Sequence, residues 1–335
     1  MSEHAQIQQA KESHKETILA KPNVVGIGTG YKVKRGQKTA QLCIITMVSR
    51  KIPLAGLPSE ALVPKTIDGV PVDVIEVGLL RALQARTDRW RPAPGSVSLG
   101  HYKITAGTFG AVVRDRITGD RLILSNNHVL ANSNDAAIGD PVLQPGPADG
   151  GQMRTDTIAQ LERFVPLVYD TAPAACDLAT GAAEVANAVA RILGSKHRLE
   201  ALQSDPTASN AVDAAVASPV DDADILDEIL EVGEVQGTAP AQLGMSVRKS
   251  GRTTSFTTGE ITVLDVTVTV AYGTGRTARF DNQIVTSAMS QGGDSGSLLV
   301  AGDTQQAVGL LFAGSEQTTI HSPIQAVLDS LEVDI

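Results

Sequence analysis

Gln291-Gly292-Gly293-Asp294-Ser295-Gly296-Ser297-Leu298-Leu299-Val300 sets one hydroxyl, that of Ser295, between glycines and just ahead of an apolar run of strand length. Glycines on both sides let the backbone take conformations closed to other residues, so two successive amides can aim at one point beside the hydroxyl. An oxyanion would sit at that point, with Gly293 N–H and Ser295 N–H as its natural donors. A glycine-rich hairpin without chemistry is the plainer reading of the same residues. What separates the two is whether the rest of the chain supplies a base. A serine hydroxyl is a weak nucleophile until a base takes its proton and a third group holds that base in place.

The chain offers few histidines. His4 and His14 lie in a polar N-terminal segment, His197 lies in a basic patch, and His101 and His321 show no evident carboxylate partner in a similar strand context. His128 differs, because Arg121-Leu122-Ile123-Leu124-Ser125-Asn126-Asn127-His128-Val129-Leu130 reads as a buried strand that turns at two asparagines and ends on an imidazole. Among the carboxylates, Asp213 in Asn210-Ala211-Val212-Asp213-Ala214-Ala215-Val216-Ala217 is the one embedded in small apolar residues. A carboxylate there needs a hydrogen-bond donor, which an imidazole Nδ1–H supplies.

SNNHVL, VDAAVA and QGGDSGS resemble, in that order, the histidine, aspartate and serine motifs of the trypsin-like (chymotrypsin-fold) serine peptidases of bacterial type. Chain order is informative, since α/β-hydrolases run Ser, Asp, His and subtilisins run Asp, His, Ser. The resemblance implies Ser295 as nucleophile, His128 as general base and then acid, Asp213 as its orienter, and Gly293 and Ser295 as the oxyanion hole. It also implies a mostly β fold of two Greek-key six-stranded barrels over residues 96–335, and no metal or organic cofactor. One spacing departs from the family: Asp213 lies 213 − 128 = 85 residues past His128, where the family has about 45. An insert over about residues 171–205 accounts for the excess. Its alanine-rich stretch puts Ala182, Val185, Ala186, Val189, Ile192 and Leu193 at helical spacing. That helix is either packed onto the barrel or serves as a lid or partner surface.

Composition bounds the rest. The chain has 335 residues, 42% of them hydrophobic, which accommodates two domains. A formal charge of −9 argues against a nucleic-acid partner. No window reaches the apolar length that spans a bilayer, and the first twenty or so residues are polar without a secretory apolar core. Two cysteines, Cys43 and Cys176, form no disulfide framework and have no metal-ligand spacing, so a reduced, cytoplasmic setting is expected. Oligomeric state is not readable.

Upstream of the resemblance, residues 1–22 read as a polar lead, helical or frayed. Residues 23–80 read as a small α+β unit of about three strands with a short helix near Pro58 to Leu62. Its Gly26-x-Gly28-x-Gly30 is followed by a charged turn rather than a helix, so a nucleotide site is rejected. Three roles stay open for this unit: an inhibitory or folding-assisting segment, a substrate- or partner-binding domain, or structural padding. Residues 81–95, with Trp90, Pro92 and Pro94, read as linker.

By the same resemblance, Met289, Ser290, Phe312, Ala313, Gly314 and His321 line the primary specificity pocket. Met289 stands where the trypsin branch has an aspartate, which disfavours cleavage after lysine or arginine. His321 is either structural or a recogniser of acidic side chains. Asp294 pairs, in the animal enzymes, with an amino terminus freed by cleavage, and Arg114 or Arg248 is an internal cation that could substitute. The expected function is hydrolysis of protein or peptide substrates by an intracellular serine endopeptidase. The alternatives are a silent binding or scaffold protein on the same fold, and an esterase or self-cleaving factor.

Overall fold

The computed structural model describes residues 3–34, 36–53, 56–78, 80, 84–205, 207–273 and 275–335. The chain divides into two compact units, Met1–Gln84 and Ala85–Ile335, each with its own core.

In the first unit, Val24–Lys34 and Gln37–Val48 form an antiparallel hairpin, Val70–Glu76 pairs in parallel with the second of these strands, and Thr66–Ile67 completes the sheet. The sheet has four strands where about three are expected, and the short helix is a single 3-10 turn at Ser59–Ala61. Residues 3–19 form helix α1 (Glu3–Leu19). Rather than fraying, α1 buries Ile7, Ala10 and Ile18 against Ile44, Ile67, Val70 and Val72. Its apolar stripe is three side chains wide, too thin to stand out among glutamines, lysines and glutamates.

The second unit is mostly β. One sheet runs, in order, Val333–Asp334, Ala111–Asp115, Arg121–Ser125, Ala215–Pro219, Thr157–Phe164, Pro141–Leu143, Ser98–His101 and Gly107–Thr108. The other runs Leu202–Ser204, Thr171–Pro173, Thr277–Ser287, Ser255–Ala271, Ser246–Gly251, Leu298–Ala301, Ala307–Gly314 and Thr318–Pro323. Thr318–Pro323 also pairs with Thr277–Ser287, which closes six of these strands into a ring. Closure removes the exposed edges that an open sheet would leave. Helix α4 (Ile324–Leu331) buries Ile324, Val327, Leu328 and Leu331 in a core shared with Leu122, Leu124, Val216 and Leu298.

Residues 85–95 are part of this unit rather than a linker, and residues 81–83 lie outside the described ones. Trp90 is buried, its indole N–H donates to Ala85 O at 2.9 Å, and Ala93–Gly95 pairs in parallel with Ile225–Ile229. The insert carries helix α3 (Asp177–Ile192) between the strands Thr171–Pro173 and Leu202–Ser204, after the one-turn helix α2 (Asn127–Leu130) met below. No residue of α3 is buried, so it is not packed onto the barrel through its apolar face.

Candidate active site

Strand Arg121–Ser125 delivers the chain to Asn126, whose extended backbone (φ −83°, ψ 159°) opens α2 with His128 on its single turn. Two asparagines hold that turn. Asn126 Nδ2 donates to Asp213 O at 2.7 Å, and Asn127 Nδ2 donates to Val165 O at 2.7 Å and to Asn134 Oδ1 at 2.8 Å. Strand Ala215–Pro219 pairs with Arg121–Ser125 in a register that sets Ala215 against Ser125. The residues just before Ala215 therefore lie beside those just after Ser125. His128 Nδ1 and Asp213 Oδ2 are 2.6 Å apart, and His128 N–H donates to Asp213 Oδ1 at 3.3 Å. An ionised carboxylate only accepts, so Nδ1 carries the ring proton and Nε2 is left as the basic nitrogen. Asp213 is fully buried and the His128 side chain is 22% exposed, so the imidazole alone faces the cleft.

Ser295 is held opposite by a loop whose amides are fixed from behind. Asp294 O accepts from Ser297 N–H at 3.0 Å and from Ser297 Oγ at 2.6 Å, and Gly292 O accepts from Thr253 Oγ1 at 2.8 Å. In a trans peptide the N–H points away from the carbonyl. Ser295 N–H and Gly293 N–H thus face the other side of the loop, and among the described residues neither donates to a protein acceptor. Gly293 (φ +96°) and Gly296 (φ +95°) hold left-handed conformations. A Cβ at Gly293 would meet Thr253 Oγ1 at 2.5 Å, and one at Gly296 would collide with Thr108 O and Ser125 Oγ. Thr108 ties the first sheet to this loop: its N–H donates to Ser295 O at 2.8 Å and its Oγ1 to Gly293 O at 2.9 Å. Among the described residues Ser295 Oγ has no hydrogen-bond partner, His128 included.

Asp294 turns inward. It accepts from Thr253 N at 2.8 Å, Gln291 N at 3.0 Å, Thr254 N at 3.1 Å and Thr254 Oγ1 at 2.6 Å, and Lys249 Nζ lies 3.3 Å from Oδ2. Both side chains are wholly buried. Burial alone would raise the Asp294 pKa, but the Lys249 charge and these hydrogen bonds outweigh it and hold the carboxyl below its ordinary value. The internal cation is thus Lys249, not Arg114 or Arg248. Strand Ser246–Gly251 points alternate side chains to opposite faces, sending Lys249 inward, while the Arg248 guanidinium reaches Thr304 O and Gln305 Oε1. Arg114 is exposed on strand Ala111–Asp115.

A cavity of about 770 Å3 opens beside Ser295, lined by Met289, Ser290, Ala313 and Gly314 together with Ala288, Leu311 and Glu316. Phe312 lines an adjoining cavity of about 660 Å3 with His128, Ala313, Gly314 and Tyr272. His321 lines neither. It is fully buried, with Nε2 3.0 Å from Thr286 Oγ1, and burial followed by the nearby Lys249 charge pushes its pKa down to about 3. His101 has a partner after all, since Nε2 is 3.0 Å from Asp140 Oδ2. Three groups escaped the sequence reading: Thr108, Lys249 and Tyr272, whose hydroxyl donates to Asp213 Oδ2 at 2.7 Å. Each contacts a residue distant in sequence, and no local pattern marks them.

The chain is similar to bacterial serine proteases of the chymotrypsin fold. It is 38% identical over 100 residues to streptogrisin-D of Streptomyces griseus, covering 28% of this chain and 24% of the relative. It is 32% identical over 105 residues to glutamyl endopeptidase 2 of the same organism, covering 30% and 53%, and 34% identical over 107 residues to serine protease 1 of Streptomyces fradiae, covering 30% and 28%. The chain thus spans between about a quarter and about half of the length of the curated relatives it matches. No protein-family profile matches it. Among solved structures, a Nocardiopsis protease aligns with a TM-score of 0.45 at 18% identity, covering 72% of this chain and 98% of that one. A glutamic acid specific serine protease described as using a histidine triad in substrate binding aligns with a TM-score of 0.45 at 18% identity, covering 72% and 100%.

Proposed function

We propose that residues 85–335 form a serine endopeptidase acting through an acyl-enzyme, with each of the two eight-stranded sheets containing one of the two six-stranded barrels of the trypsin-like fold. The observation that carries this reading is the buried Asp213 carboxylate 2.6 Å from His128 Nδ1, with His128 lining a cavity that adjoins, at Ala313 and Gly314, the one lined by Ser295. In the proposed reaction Ser295 Oγ attacks the scissile carbonyl carbon while His128 Nε2 takes the hydroxyl proton. Gly293 N–H and Ser295 N–H receive the developing oxyanion. Collapse expels the amine, which takes its proton from the imidazolium, and a water molecule repeats the sequence to release the acid. Asp213 keeps the imidazole in one tautomer and stays ionised. No step calls on a metal or cofactor.

Met289 and the other walls of the cavity beside Ser295 are uncharged except for Glu316, so a neutral side chain ahead of the cleaved bond is the proposed preference. His321 is buried away from that cavity and supports the structural role. Lys249 occupies the place an activating amino terminus takes in the animal enzymes, which favours activity without processing there. Cys43 and Cys176 are both free, in keeping with the proposed cytoplasmic location. One observation favours a silent binding protein, namely the lack of a hydrogen bond from Ser295 Oγ to His128; such contacts often tighten only when substrate is bound. A peptide library incubated with the protein and read by mass spectrometry tests the proposal. Cleavage lost in Ser295→Ala supports the endopeptidase. No cleavage, or cleavage unaffected by that substitution, rejects it.

A further inference from the structure

The geometry points to Tyr272 as a positioning residue for the His128–Asp213 pair, an inference that rests on the endopeptidase reading. A wholly buried carboxylate has to be supplied with donors or a cation. Among the described residues no lysine or arginine pairs with Asp213. Its donors are His128 Nδ1–H at 2.6 Å, His128 N–H at 3.3 Å and the Tyr272 hydroxyl at 2.7 Å. The first and last of these share Oδ2, so the phenol fixes the oxygen on which the imidazole hangs. Tyr272 is itself held. It follows the long strand Ser255–Ala271, its N–H donates to Arg276 O at 2.9 Å, and its ring lies edge-on to His128 with centroids 5.8 Å apart. Tyr169 and Phe280 flank it at 6.1 and 6.2 Å. Burial and then the Asp213 charge push the phenol well above its ordinary pKa, so it stays a donor.

Tyr272→Phe keeps the ring and deletes the donor. A hydrogen bond to a charged group corresponds to a change of roughly 10- to 100-fold, and that loss is expected in kcat at unchanged KM. The downfield proton resonance of His128 Nδ1–H is expected to move. An unmoved resonance, or an unchanged kcat, overturns the positioning role. If the parent protein neither hydrolyses peptides nor reacts with a fluorophosphonate, the endopeptidase reading fails on its own, and the resonance still decides whether Tyr272 orients the pair.

Discussion

Lys249 and Asp294 show how one buried contact shapes the loop that carries Ser295. With both side chains at zero exposure, Lys249→Met leaves a carboxylate without its cation, a class of change that costs about 3–5 kcal/mol. The substitution is expected to lower stability by that order in denaturant titration and to reduce kcat/KM, since Asp294 anchors the loop through Gln291, Thr253 and Thr254. Thr108→Val deletes the hydroxyl donated to Gly293 O and is expected to cost about 1 kcal/mol with a several-fold fall in kcat. Single positions differed in how far they could be read ahead. His128, Asp213 and Ser295 stand inside short local patterns, and the structure brings the first two into contact. Thr108 and Tyr272 act across 185 and 59 residues of chain, so their parts become visible only when the sheets are formed. Lys249 was passed over for its neighbour because strand phase decides which of two adjacent cations enters the core.

Among elements, strand Thr318–Pro323 carries a measurable pH signature. An unfolded histidine titrates near 6.5, whereas His321 resists its proton until about 3. Between those values the unfolded chain binds more protons, so stability falls as pH drops from about 6.5 towards about 3 and levels off below. The slope is at most about 1.4 kcal/mol per pH unit. Urea titrations of the parent and His321→Asn over this range are expected to differ in slope; parallel curves contradict the buried, neutral imidazole. The other strands of the second unit were expected only through the family resemblance, whereas Arg121–Ser125 and the apolar run at Leu298–Ala301 emerged from the residues themselves. Helix α1 did not, because Ile7, Ala10 and Ile18 are too few to mark a face, and α3 showed its face but not that the face looks outward.

At the scale of the whole molecule, the two units keep separate cores. Ile7, Ile18, Ile44 and Val72 lie in one, Leu124, Val216, Leu298 and Val327 in another. Calorimetry is expected to resolve two transitions, and Ile44→Ala, at about 2–5 kcal/mol, to shift only one of them. The expected linker boundary, 95/96, fell 96 − 85 = 11 residues past the structural one because prolines at 92 and 94 read as breaks, although the strand Ala93–Gly95 contains one of them. The central claim is that Ser295 is an activated nucleophile. Reacting the full chain with a fluorophosphonate and mapping the adduct by mass spectrometry tests it most directly. The expected result is one adduct on Ser295, abolished in His128→Ala and strongly slowed in Asp213→Asn. No adduct, or an adduct on another residue, contradicts it.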